Sequence, residues 1–484
     1  MISSANEYIA KIKWTLLLLF FFGYFLTLKY FDNNIVEYLT YNLLASISCA
    51  VLLTQIKSFE QKYTAVWIAL ILLLSGYFLR FYWITIDALP VRVMLAPDNP
   101  YLTMVNDRNA LLQAFKLSVI AFTSFSFSAA ALLFFMRKQN SQVYQHSASG
   151  NSTLSGLIAK RSLLVITLLM LVLAYITYKY HIGEMGAASG EALPFRLKGV
   201  IFYVRTIFIP LVILLSIYLA ERSGHIIASR LGALILIMHG VMDMLLRNSR
   251  SGLLLSLLLL VFLMLADGIK LRRKEKVFVG VMVMLAFFMI PIMTEYRQIR
   301  VNYNLPYIEA FSSALNVVGK DWLTQIFKGL QFIFFRMPGI ESLWCMIANR
   351  AEPLGIHSID VINSKNGIAG YLTYVIYPGM KAFPNSLLAP GFCGWFYLVA
   401  GLPAIVLGSL FTGALSVLGW KFLDRRYFES GPVAQVFFLW MFFMVLTEGP
   451  LNSMVYMFLV GLITIMVLEA GLRMFTRKEP NFNL

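Results

Sequence analysis

Apolar residues run along this chain in long unbroken blocks, separated by short charged connections. A helix needs roughly 20 such residues to cross about 30 Å of hydrocarbon. Blocks of that order lie near residues 13 to 31, 36 to 56, 65 to 86, 111 to 136, 162 to 180, 199 to 220, 226 to 246, 251 to 267, 277 to 294, 393 to 420, 432 to 448 and 452 to 471. Twelve spans are expected. Because hydrocarbon offers no water to backbone amides, each block must satisfy its own hydrogen bonds as a helix. The expected fold class is therefore all-α, a polytopic transmembrane helical bundle. The first block, Trp14 to Leu28, is led by Lys11 and Lys13 with no small-residue cleavage site after it, so it reads as a retained span rather than a signal peptide.

The pattern divides the chain into three segments: spans one to nine within 1–294, a long connection over 295–389, and spans ten to twelve with a tail over 390–484. The connection has helical patterning of its own. In KDWLTQIFKGLQFIFFR, residues 320 to 336, Trp322, Leu323, Ile326, Phe327, Leu330, Ile333 and Phe334 recur at helical spacing, which predicts a helix lying in the membrane interface. GIAGYLTYVIYPGM, residues 367 to 380, is apolar but too short to cross and reads as an interfacial or re-entrant piece. The short connections at Lys57 and Lys62, at Arg137, Lys138, Lys160 and Arg161, at Arg222 and Arg230, at 270 to 276, and at Lys421, Arg425 and Arg426 share one side. By the positive-inside tendency that side is cytoplasmic, with both termini there and the long loop outside.

Composition agrees with the pattern: 59% of residues are hydrophobic and 13% charged, far from a soluble domain. A net charge of +16 comes without any long basic tract with interleaved aromatics, so nucleic acid is not an expected partner. Membrane lipids and phosphorylated substrates suit it better. Cys49, Cys345 and Cys393 are far apart with no paired spacing, which supports neither a disulfide framework nor zinc. No metal-ligand cluster, nucleotide loop or hydrolase motif is evident, and no cofactor is expected.

Positive-inside bias leaves one set of charges unexplained. Arg205, Arg247, Arg250, Arg297, Arg300, Arg336 and Arg350 fall on the expected outer side, mostly in or beside span ends. Arg205 lies several residues into its span and is expected to face protein or a polar cavity. In LLRNSRSG the next span starts near Ser251, so free amides, a positive helix end and the guanidiniums of Arg247 and Arg250 gather at one place, a setting for a phosphate. His239, Asp243 and Arg247 fall at i, i+4 and i+8 on one helical stripe, so Asp243 is expected to hold Arg247. In the outer loop Glu341, His357 and Asp360 are the candidate acid or base groups, near Arg336 and Arg350.

These residues resemble a known family. NSRSG ahead of a Leu-rich span, an outer loop rich in Arg and Glu, and SLLAPGFCGWFYLVAGLPAIVLGSLFTG at 386 to 413 look like the Wzy-type oligosaccharide repeat-unit (O-antigen) polymerases over roughly residues 160 to 470. Ser249, Arg250, Ser251 and Gly252 match the family's stretch, with Asn248 in place of its glycine. After the loop Pro390, Gly391, Gly394 and Tyr397 match, and Trp395 replaces an acid, which leaves Glu341 as the preferred carboxylate. The resemblance implies a GT-C-like glycosyltransferase of lipopolysaccharide synthesis in the bacterial inner membrane. It would move a growing glycan from undecaprenyl pyrophosphate onto a new lipid-linked repeat unit at the periplasmic face, together with a chain-length regulator. A lipid-linked oligosaccharide flippase and an O-antigen ligase are the alternatives.

Overall fold

The computed structural model describes residues 35–57, 63–86, 107–137, 152–183, 197–247, 251–266, 272–303, 305–324, 327, 339–364, 367–376, 389–423, 429–449 and 452–476. In chain order its helices are α1 (Ile35–Lys57), α2 (Thr64–Leu73), a π-helical turn π1 (Leu74–Leu79), α3 (Arg80–Ile86), α4 (Arg108–Arg137), α5 (Ser152–Tyr180), α6 (Leu197–Tyr203), a second turn π2 (Val204–Phe208), α7 (Ile209–Arg222), α8 (Ile226–Arg247), α9 (Ser251–Leu265), α10 (Arg273–Tyr303) and α11 (Tyr307–Gly319). Then come α12 (Ile340–Ala348), a 3₁₀ turn (Gly355–His357), α13 (Ser358–Asn363), α14 (Gly367–Ile376), α15 (Gly391–Phe422), α16 (Gly431–Glu448) and α17 (Asn452–Thr476).

The chain is an all-α polytopic membrane protein. Ten helices among the described residues are long and apolar enough to cross a membrane. Of the twelve expected spans, the block at 13 to 31 lies outside the described residues. The block at 251 to 267 becomes α9, only 15 residues long and thus about 22 Å, short of a full crossing by itself. Most of the predicted interfacial helix at 320 to 336 is also outside the described residues, although Trp322 and Leu323 are helical and exposed. The short apolar stretch at 367 is α14.

Two compact units share these helices, and they cut across the three sequential segments. The first draws on residues up to 145, 333–421 and 441–454, the second on 146–332, 422–440 and the remainder. In the first unit α1 packs along α4 through Tyr38 stacked on Phe115 at 5.1 Å, and Ser48 donates to Thr123 at 3.2 Å. One end of this unit is a polar joint. There Ser342 of α12 donates to the Pro390 carbonyl at 2.8 Å, the Trp344 indole donates to the Asp107 carbonyl at 2.8 Å, and the Cys393 amide donates to the Tyr77 hydroxyl at 3.0 Å. The part of the long loop around α12 is thus fastened as a cap to the ends of these spans within the first unit. α15 is not one helix: Ala400 (φ −153°, ψ 28°) and Gly401 (φ 67°, ψ −143°) leave helical geometry. The Leu354 amide of the cap bonds the Leu398 carbonyl at 2.8 Å, so the cap satisfies an acceptor next to the break. The positive φ at Gly401 is one that glycine adopts without penalty.

In the second unit the direction of α9 is set by its neighbours. Near the start of α8, Arg230 pairs with Glu275 at the start of α10, at 2.6 Å. Near their other ends, the Tyr296 hydroxyl of α10 reaches the Leu245 carbonyl of α8, at 3.4 Å. Hence α8 and α10 run parallel, and α9 between them must traverse the unit in the opposite sense despite its length. It crosses α8 closely, glycine against glycine. A Cβ at Gly252 would lie 2.7 Å from the Met244 amide nitrogen and 2.8 Å from the Gly240 carbonyl oxygen. Both obstacles are backbone, so no rotamer change relieves them. Small residues at such crossings let helix backbones approach.

Gly252→Ala is therefore expected to destabilise the protein by about 1–3 kcal/mol through overpacking. Gly280→Ala on α10, where a Cβ meets nothing within 4 Å, should be neutral or stabilising by up to about 1 kcal/mol. Thermal unfolding of the purified protein in detergent checks both.

Candidate functional site

The second unit holds a largely buried charge cluster built from two helical pieces, π2 and α8. π2 widens the helix by one residue at Val204–Phe208, and Arg205 within it is only 4% exposed. Such bulges recur at functional sites because they re-aim side chains and free backbone groups. The Arg205 guanidinium donates to one oxygen of Asp243 twice, from Nε at 3.1 Å and from Nη2 at 2.5 Å. Arg247, one turn further along α8, donates from Nη1 to the other oxygen at 2.9 Å. One carboxylate thus joins two guanidiniums, and the three side chains together carry one excess positive charge.

Aromatic and turn residues complete the enclosure. Arg247 lies over the Phe202 ring at 4.6 Å, a cation–π contact that fixes its plane. Gly183, with φ 71°, closes over the same spot, and a Cβ there would come within 3.0 Å of Phe202 and 3.4 Å of Arg247 Nε. His239 is 5% exposed and lies against the Arg205 backbone and Asp243. Among the described residues, three buried polar atoms of this cluster have no hydrogen-bond partner: Arg205 Nη1, Arg247 Nε and His239 Nε2. Buried polar groups in folded proteins are nearly always paired, so two guanidiniums sharing one acid leave hydrogen-bonding capacity unused beside an excess positive charge. The close crossing at Gly252 brings the first turn of α9 to the same end. In this the serine-arginine-glycine stretch shows a structural role for its glycine.

Among the other sequence candidates, Arg297 and Arg300 are half-buried near the end of α10, the end that meets Leu245. Arg300 stacks on Tyr307 at 4.1 Å and donates to the Leu305 carbonyl, so it shapes the turn into α11. Arg250 and Arg336 lie outside the described residues. Arg350, His357 and Asp360 belong to the first unit and are exposed, with Arg350 in the left-handed region at φ 53°.

Glu341 also belongs to the first unit, and its setting differs from that of a free loop carboxylate. It is 1% exposed, and its Oε2 accepts from Arg80 Nη1 at 3.1 Å. Arg80 is the residue directly after π1 and is 2% exposed. A Cβ on Gly339 would collide with the Gly76 carbonyl of that turn, so the loop backbone rests on the π-turn beside the ion pair. Sequence reading missed Arg80, although an arginine inside the apolar block 65 to 86 was itself the signal. The thiol of Cys345 on α12 is pushed up to about 11 by burial, partly offset by the Asn349 amide, and all three cysteines are buried and free. No group of three His, Cys, Asp or Glu suited to a metal ion occurs among the described residues. No protein-family model, curated protein or solved structure matches this chain.

Removing one partner of a buried ion pair strands the other, at a cost of roughly 3–5 kcal/mol. Asp243→Asn and Glu341→Gln are each expected to lower the melting temperature clearly, whereas His357→Ala and Asp360→Ala should change stability by no more than about 0.5 kcal/mol. Parallel thermal melts of the four variants check this contrast.

Proposed function

We propose that this protein is a lipid-linked oligosaccharide polymerase, a glycosyltransferase that takes a glycan from undecaprenyl pyrophosphate and adds it to another lipid-linked repeat unit. The observation that carries the reading is the Arg205–Asp243–Arg247 cluster with its vacant donors. A pyrophosphate joined to a sugar is a dianionic leaving group. Guanidinium forks beside it stabilise the charge that grows as the bond from the anomeric carbon to the phosphate oxygen breaks. The acceptor hydroxyl attacks that carbon and gives up its proton to a base, leaving a glycosidic bond and free polyprenyl pyrophosphate. The candidates for that base proposed from the sequence remain Glu341, His357 and Asp360, of which Glu341 also pairs with Arg80 within the first unit. The resemblance in the SRSG stretch and in residues 386 to 413 supports the same choice.

A flippase for the same lipid-linked units is the second reading, favoured by Arg80, Arg205, Asp243 and His239, all buried on span helices. Intramembrane charges of this kind also line transport paths. Mass spectrometry of lipid-linked glycans, with sidedness, in cells lacking the protein separates the readings. Single units accumulating on the outer face are the expected result, units held inside mean a flippase, and long polymer left on the carrier means a ligase.

For the arginine site, Arg247→Lys and Arg250→Lys are each expected to lose most polymer, at least about tenfold, with folded protein retained, because lysine keeps charge but not the fork. Polymer length distribution on gels from complemented cells is the measurement, and wild-type polymer in both variants would remove the bidentate role.

A further inference from the structure

The first unit carries a second place built for a ligand, apart from any arginine. Asn109, Gln113, Lys116 and Ile120 recur at intervals of four, three and four residues and so form one stripe of α4. With Leu112 and Leu117 of α4 and Tyr41 of α1 they line a groove of about 420 Å³, within the range of small-ligand sites.

The polar lining residues Asn109 and Gln113 lie towards the start of α4, with Leu112 between them, and Leu117 and Ile120 lie further along. The groove's part towards the start of α4 has the exposed side-chain amides of Asn109 and Gln113. In its middle Lys116 pairs with Glu37 of α1 and lies over the Tyr41 ring at 5.9 Å. Leu117 and Ile120 form the inner part, roughly 10 Å along the axis from Gln113 at 1.5 Å per residue. This order, hydrogen-bonding end to apolar end, is that of a lipid entering from the membrane surface.

The chemistry of the outer end narrows the headgroup. Glu37 neutralises Lys116, so the groove lacks the excess positive charge of the arginine cluster and does not select for phosphate. Amides offer both donors and acceptors, the combination that matches sugar hydroxyls, and an aromatic face is at hand in Tyr41. We infer that this groove binds the sugar headgroup of a glycosylated lipid, with the lipid chain along Leu117 and Ile120. On the polymerase reading its occupant is the acceptor unit, whose hydroxyl rather than its phosphate must be recognised. Only that name for the occupant rests on the reading; the binding does not.

The test uses the full-length chain in a sugar-free detergent, with native mass spectrometry of lipid adducts. The probes are diglucosyl diacylglycerol, phosphatidylglycerol and phosphatidylethanolamine with matched acyl chains. Expected is a preference for the glycolipid of about tenfold, the worth of one or two net hydrogen bonds. Gln113→Leu and Asn109→Leu, both at exposed positions, should lose that preference while eluting as folded protein. Equal binding of all three lipids, a preference for phosphatidylglycerol, or glycolipid binding unchanged in both variants would each overturn the inference. A flippase or ligase outcome in the cellular glycan experiment would change the occupant's role and leave the lipid preference standing.

Discussion

A guanidinium among apolar helices must be met by an acid, because leaving it alone costs several kcal/mol. That requirement organises both units. In the first, Arg80 on a span is met by Glu341, which reaches it from a chain segment 261 residues away. The ion pair therefore fixes where the cap sits: α12 can start only where its first turn places a carboxylate on Arg80. The Ser342, Trp344 and Gly339 contacts extend the joint along the same short helix. In the second unit Asp243 has the same task for Arg205, and Arg247 shares it.

Among the described residues, each fully buried arginine is associated with a π-turn, directly after π1 for Arg80 and inside π2 for Arg205. A π-turn inserts one residue, rotates the remainder of the helix by about 100°, the angle of one residue at 3.6 per turn, and loosens the regular i to i−4 ladder. An apolar span can in this way keep its outer face apolar while turning a single charged side chain inward. The freed backbone is then available to others: the Gly76 carbonyl lies against Gly339, and the Arg205 backbone against His239.

How far these features could be read from sequence depends on their range. Spans are legible because hydropathy is a property of consecutive residues, and the Asp243–Arg247 pair because i, i+4 places two residues on one face. Arg205 was legible as a charge in the wrong solvent, though not its partner, 38 residues on. The partnership of Arg80 with Glu341 had no local trace, and neither did the π-turns, which depend on tertiary packing. Glu341 is legible as an outer-loop carboxylate, whereas its burial against Arg80 is set by packing that the sequence does not display. The block at 393 to 420 carries Gly401 and Pro403 in its sequence but reads as one span, since its composition is apolar throughout. In the serine-arginine-glycine stretch the glycine carried a packing reason, a backbone crossing, that a motif alone does not reveal.

The two acid–arginine sites differ in stoichiometry, and this difference decides what each can do. Arg80 and Glu341 are one to one, so their charges cancel and the pair has no net pull on an anion from outside; it works as a fastening. Asp243 is one carboxylate for two guanidiniums, so a positive charge is left over in a place where little water screens it. Coulomb attraction at a few ångströms grows several-fold as the effective dielectric falls from that of water toward the interior value. A phosphate oxygen arriving at Arg205 Nη1 or Arg247 Nε would thus find donors already oriented by Asp243 and Phe202, with little further ordering required. The same carboxylate that holds the guanidiniums competes with the incoming anion for them. Binding is then weaker than two free arginines would give, so an anion taken up there would also be released more readily.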